Sequence, residues 1–183
     1  MRHRPERLLP SLILGLAMAF SATVLALPED RDQPIRIEAD EALRDEKQGF
    51  TRYEGNVKMD QGSLHIEADQ ITIYHVGEEA DRILATGKPA HLQQQPDPAK
   101  GLIKARAETI EYMKNEQRIE LRKSAHIEQD GSIVTGESID YLIDQQLVKA
   151  GSALGDDSSR VQVVIPAQAL DDKEADSGKT ASE

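Results

Sequence analysis

Cysteine is absent from this chain, and so is tryptophan; two Phe and four Tyr are the whole aromatic complement. Without thiols there is no disulfide framework, no thiol nucleophile and no cysteine metal site. So few aromatics leave little for the stacking platforms on which sugar-binding proteins rely. Positive charge is scarce as well: 33 Asp and Glu face 22 Lys and Arg, a net −11 over 183 residues. A chain of that sign repels phosphate backbones, which excludes nucleic acid as a partner. What is present is 38% hydrophobic residues, nearly all aliphatic, beside 30% charged ones. Those proportions suit a globular domain with a thin aliphatic core.

The first residues have the order of a secretory leader. Arg2, His3, Arg4 and Arg7 form a basic start, Leu8 to Phe20 an apolar run, and Val24-Leu25-Ala26 a small-residue end. Cleavage is expected after Ala26. The apolar run contains Pro10 and falls short of the roughly 20 residues a spanning helix requires. Residues 1–26 carry a net +2, so the mature chain has 157 residues and a charge of −13. An exported chain without disulfide staples is expected in a bacterial periplasm. Residues 27–34, with Pro28 and Pro34, read as a flexible lead-in. Residues 167–183 read as a disordered acidic tail, which leaves 35–166 as the folded domain.

Within that domain the hydrophobic period is two. Apolar residues alternate in Ile35, Ile37, Ala39; in Val57, Met59; in Leu64, Ile66, Ala68; in Ile119, Leu121; and in Val161, Val163, Ile165. Turn signals such as Gln61-Gly62, Lys114-Asn115 and Asp130-Gly131 separate the runs. The fold class is therefore all-β. Two motifs recur along the chain. One is a small residue followed by an acid, at Ala39-Asp40, Ala68-Asp69, Ala107-Glu108 and Gly136-Glu137. The other is Gly55-Asn56-Val57, Gly87-Lys88-Pro89-Ala90, Lys123-Ser124-Ala125 and Gly151-Ser152-Ala153.

The alternation slips by one residue inside the repeat. Ala68 is followed by Ile71, Ala107 by Ile110 and Gly136 by Ile139. A slip of one sends the rest of a strand to the wrong face unless a bulge or bend absorbs it. Bends at one level in successive strands would fold a meander into two apposed sheets. Asp69, Glu108 and Glu137 are expected to cap backbone N–H groups freed at those bends.

Groups for chemistry do not converge. His65, His75, His91 and His126 are widely spaced and read as solvent-facing strand residues, and no metal-ligand spacing occurs. No nucleophile elbow or phosphate loop is present, so neither catalytic residues nor a cofactor is expected. The remaining asset is an aliphatic inner face, which reads equally well as a closed core or as a groove for alkyl chains. In a groove, ten methylenes would contribute about 8 kcal/mol before losses of freedom.

Six blocks, in order, make the chain resemble a known family. They are Gln33 through Asp40, Gly55-Asn56-Val57 with Gln61-Gly62, Ile66 through Asp69, Gly87 through Ala90, Gly136 through Leu142, and Arg160 through Gln168. Over about residues 33–170 the sequence is similar to the LptA/OstA-type lipopolysaccharide transport proteins. Ala42 and Arg44 depart from the pattern, standing where apolar residues are expected.

The resemblance implies an open, twisted β-jellyroll of antiparallel strands that holds lipid A acyl chains in its interior. It implies a periplasmic carrier passing lipopolysaccharide from the inner to the outer membrane. The partners it implies are an inner-membrane-anchored jellyroll of an ATP-driven extractor, the periplasmic jellyroll of an outer-membrane translocon, and further copies docked end to end. Acyl chains are then expected against Ile35, Ile37, Val57, Ile66, Ile73, Leu92, Tyr112, Ile119, Leu121, Ile127 and Tyr141. Docking edges are expected at Ile35, Arg36, Ile37, Glu38 and Ala39, and at Val161, Gln162, Val163, Val164 and Ile165. The acidic exterior offers no net attraction for phosphate, so recognition is expected to rest on the acyl chains. The competing readings are an edge-strand adaptor that binds no lipid and a wall-modifying hydrolase, which would need paired carboxylates in a cleft.

Overall fold

The computed structural model describes residues 30–77, 79–153 and 160–167. The leader and all of the acidic tail beyond Ala167 lie outside the described residues. A 3-10 turn over Asp30–Asp32 precedes ten strands: β1 (Arg36–Glu38), β2 (Glu41–Asp45), β3 (Phe50–Gln61), β4 (Leu64–Val76), β5 (Glu79–Gln94), β6 (Ile103–Met113), β7 (Arg118–Gln129), β8 (Ser132–Leu142), β9 (Leu147–Gly151) and β10 (Gln162–Val164). Strands β3 to β8 form a meander in which each pairs antiparallel with the next. Both margins are made of two short pieces. Strands β1 and β2 share β3, while β9 and β10 share β8.

The bend read from the slipped alternation is present, and it runs across the whole sheet. Register shifts fall between Glu54 and Val57, Glu67 and Gln70, Thr86 and Ala90, Arg106 and Thr109, and Arg122 and Ala125. This line divides every long strand in two. One leaf holds β1, residues 57–61, 64–68, 90–94, 103–107, 125–129 and 132–136, and β10; the other holds β2, residues 50–54, 70–76, 79–86, 109–113, 118–122 and 138–142, and β9. The inner rows of both leaves belong to one buried apolar cluster, so the leaves lie face to face. The fold is an open, twisted antiparallel sheet folded over into a jellyroll.

The extra residues that make the bend sit on alternate strands, in the second of the two repeated motifs. They are Gly55-Asn56 on β3, Gly87-Lys88-Pro89 on β5 and Lys123-Ser124 on β7. Gly55 (φ +81°), Asn56 (+47°), Lys123 (+63°) and Ser124 (+52°) all lie in the left-handed region, and the Lys88–Pro89 bond is cis. At Gly55 a Cβ would also collide with the Asp40 carboxylate, so glycine is required there twice over.

The capping expected of the acids is corrected. Among the described residues none of Asp69, Glu108 and Glu137 caps a backbone N–H; Glu108 instead faces Lys123 Nζ at 3.7 Å. At the first bend the Asp40 N–H donates to Gly55 O, and the Asp40 carboxylate accepts from Asn56 Nδ2 at 2.9 Å. The bulges, with their left-handed residues, supply the turn, so it does not depend on capping by the acids.

Candidate functional site

The inner face is built by strand alternation. On the first leaf Val57, Met59, Leu64, Ile66, Ala90, Leu92, Ile103, Ala105, Ala107, Ala125 and Ile127 point inward. On the second leaf Ile71, Ile73, Ile83, Ala85, Ile110, Tyr112, Ile119, Leu121, Ile139 and Tyr141 do so. The first is rich in alanine; the second carries the bulk and all the aromatic residues of the described domain. Burial pushes the Tyr141 phenol above its ordinary pKa, so the lining stays uncharged at neutral pH.

Of the eleven residues expected against acyl chains, nine are 7% exposed or less: Val57, Ile66, Ile73, Leu92, Tyr112, Ile119, Leu121, Ile127 and Tyr141. The structure brings these together on facing inner rows, packed against one another. Ile35 and Ile37 are half-buried at the β1 margin and pack on the same cluster. The inner rows run on to both margins. Val148 and Ala150 continue them on β9 and Val163 on β10, paired with Tyr141, Ile139 and Val134. At the opposite margin Ile37, Ala42 and Arg44 stand opposite Met59, Tyr53 and Thr51. Among the docking-edge residues Val161, Val163, Val164 and Ile165 are 38–56% exposed.

Among the described residues no strand ladder passes from one leaf to the other except through the bend. The ion pairs Lys58–Glu67, Arg82–Glu111, Arg118–Asp140 and Arg122–Glu120 each lie within one leaf. So do the hydrogen bonds joining Thr51 to His75, Asn115 to Asp81 and Gln129 to the Gly101 carbonyl. Opposite the bend, apolar contact is the principal attraction between the leaves.

A polar cluster that the alternation pattern passed over borders the interior of the first leaf. Gln61 and Gln94 occupy inner positions, each 3% exposed, where Met59 and Leu92 precede them. Gln61 Nε2 donates to Gln33 O at 2.8 Å and Gln94 Nε2 to Asp30 Oδ2 at 3.0 Å. Asp30 also accepts from the Ser63 N–H and hydroxyl, each at 2.6 Å. From Asp30 onwards the expected flexible lead-in is therefore tied to the β3–β4 and β5–β6 turns. The visible signal was a glutamine ending each of two apolar rows.

The histidines do not converge, and among the described residues no cluster of three acids or histidines is placed to hold a metal ion. His75 differs from the solvent-facing reading: it is half-buried at the end of β4, with Nε2 3.2 Å from the Thr51 hydroxyl. His65 Nδ1 lies 2.6 Å from Asp60 Oδ1, and this bond, aided by Glu67, raises its pKa. His126 is shifted down, first by burial and then by Arg106.

Opposite pH dependences follow. His65 stabilises the fold fully below its unfolded value of about 6.5, and that contribution is lost as pH rises through the higher folded value. His126 acts in reverse, costing stability as pH falls below about 6.5 towards its lower folded value. Between pH 5 and 8, His65→Gln should remove the stabilisation on the acid side and His126→Gln the destabilisation. Urea midpoints for the two variants that drift in the same direction relative to the parent would contradict this assignment.

Residues 36–147 match the family model described as LptA/(LptD N-terminal domain) LPS transport protein. The lipopolysaccharide export system protein LptH of Pseudomonas aeruginosa is 38% identical over 162 residues, spanning 87% of this chain and 90% of that protein. The lipopolysaccharide export system protein LptA of Escherichia coli K12 is 31% identical over 176 residues, spanning 94% of this chain and 93% of that protein. The crystal structure of LptH, called the LptA-homologous periplasmic component of the lipopolysaccharide transport device, superposes with a TM-score of 0.69 at 36% identity. It aligns with 76% of this chain and 99% of that one. The bent meander, its uncharged aliphatic interior and these matches agree: the chain belongs to the LptA family of lipopolysaccharide transport proteins.

Proposed function

We propose that this protein is a periplasmic carrier that shields the acyl chains of lipopolysaccharide between its two leaves on the way to the outer membrane. The observation that carries the reading is the interior itself, a lining almost wholly aliphatic between the margins and closed mainly by apolar contact. Parting the leaves opposite the bend exposes that lining without breaking a strand ladder. Acyl chains then rebury it, at roughly 0.8 kcal/mol per methylene, so lipid replaces leaf-to-leaf contact at small net cost. A lining without directional bonds gives no direction of travel, and the drive comes from an ATP-using partner. The two margins, β1 with β2 and β9 with β10, offer unpaired strand edges to jellyroll partners at the inner and outer membranes and to further copies of this chain. No step requires a catalytic group or cofactor.

Placing a photo-crosslinking residue at Ile37 or Tyr112 should yield covalent adducts with lipopolysaccharide in whole cells. The same residue at outward-facing Lys149 should yield none. A folded protein that gives no adduct at any inner position would rule out the carrier reading and favour the adaptor that joins proteins only through its edges.

A further inference from the structure

The outer face of the sheet carries a second feature, on the far side from the acyl lining. Arg106, His126, Thr135 and Gln162 are successive cross-strand partners on β6, β7, β8 and β10. Their chain neighbours Ala105, Ala107, Ala125 and Ile127 point inward, so this row points outward. Cross-strand neighbours stand about 5 Å apart, close enough for their side chains to act on one ligand. Beside the row the margin is interrupted: β9 ends at Gly151 and β10 starts at Gln162, on either side of Gly136. Gly136 has no side chain to fill the gap, and a Cβ there would lie 2.9 Å from Gly151 O. The result is a cavity of about 350 Å³, lined by the row together with Ser124, Ala125, Gly136, Glu137 and Arg160.

The polar groups of this cavity are left without one another. Among the described residues Arg106 and Arg160 have no carboxylate within ion-pair distance, although the chain carries a net charge of −11. His126 lines the cavity as well, with its Nδ1 turned away from the opening and buried. A ligand that fits this cavity offers an anion to two guanidinium groups and hydroxyls to the Glu137 carboxylate. The volume lies at the small end of the ~300–1,000 Å³ of ligand pockets.

We infer that the notch over Gly136 is a binding site for an acidic sugar, a saccharide bearing phosphate or carboxylate. The anion lies between Arg106 and Arg160, the arrangement in which guanidinium forks bind such groups best. Sugar hydroxyls donate to Glu137 and exchange hydrogen bonds with His126, Thr135 and Gln162. This site touches the lining only at Ala125 and does not depend on acyl-chain binding. It is a local exception to the acidic exterior.

The test uses the full mature chain and NMR titration of the His126 ring and arginine side-chain signals. Glucose 1-phosphate, and separately deacylated lipopolysaccharide, should shift His126, Arg106 and Arg160 at concentrations where glucose and inorganic phosphate do not. Arg106→Gln and Arg160→Gln should each weaken binding by about tenfold, and the pair should abolish it. Both positions are exposed, and an unchanged circular dichroism spectrum verifies that the variants fold. Binding by the free sugar phosphate and the deacylated lipid alike marks a general acidic-sugar site; binding by the latter alone marks a site for the sugar portion of the lipid. No shift with either ligand, phosphate acting as well as the sugar phosphate, or shifts that survive the double substitution would overturn the inference. Crosslinking at Ile37 or Tyr112 should be unchanged in the double variant, so the two sites fail or stand separately.

Discussion

Truncating Leu121 to alanine is expected to cost about 2–5 kcal/mol of folding stability, read as a lower urea midpoint. Leu121 is fully buried on the inner row of the second leaf, paired with Ile110 and Ile139, which are themselves 0–1% exposed. Rigid ladders on both sides hold the backbone in place, so the void cannot collapse. Since domains of this size have about 5–15 kcal/mol in total, the loss is a large share of the whole. Ile66→Ala, equally buried on the opposite leaf, should behave alike. Leu43→Ala, at a position 55% exposed on β2, should stay within about 0.5 kcal/mol. The carrier reading adds a second readout. Ligands that bind only the folded state raise stability by mass action. Lipopolysaccharide should therefore raise the melting temperature of the parent chain and part-restore that of Leu121→Ala, whose void lies where acyl chains would lie. A melting temperature that ignores lipopolysaccharide in both proteins would leave the interior as a core and nothing more.

The second large effect concerns assembly. Replacing Val163 and Ile165 together by aspartate should abolish end-to-end self-association while leaving the monomer folded. β10 is only three residues long, pairs on one side with β8, and exposes Val163, Val164 and Ile165 at 55–56%. Unprotected apolar edges of that kind invite another strand, and added charge is the usual means of blunting them. Light scattering over a range of concentrations should show growing species for the parent and a constant monomer for the variant. The same test applies at Ile35 and Ile37 on the other margin. Oligomers that persist in both variants would place self-association elsewhere.

Much of this architecture was legible because burial on one face writes itself as alternation. Leu64, Ile66 and Ala68 followed by Ile71 and Ile73 placed both the β4 strand and its bend correctly. The distribution of labour at the bend was not legible. On β3 the inner positions pass from Tyr53 through Gly55 to Val57, and on β7 from Leu121 through Lys123 to Ala125. Each of these spacings is even, so the alternation runs on unbroken although the bulge lies there. The slip shows on β5, from Ala85 to Ala90, and on β4, β6 and β8, where it drew attention to the acids instead of the left-handed residues opposite them. Nor could composition decide between core and groove, because both are lined by isoleucine, leucine and alanine. The polar cluster of Asp30, Gln61 and Gln94 escaped because glutamine at a strand end reads as a turn residue. The outward row of Arg106, His126 and Gln162 depends on strand register, which joins residues far apart in the chain.

The divided margins have a consequence for any partner. β1 and β2 turn through the bend between Glu38 and Glu41, and β9 and β10 lie on different leaves in the same way. A straight strand laid against either end can therefore follow only one of the two pieces. A partner that continues both must fold through the same angle at the same level. Once it has done so, each leaf blocks rotation about the other, as two planks nailed at an angle brace a joint. In an end-to-end assembly the corner would thus work as a gauge, admitting neighbours of matching cross-section and keeping successive linings in line.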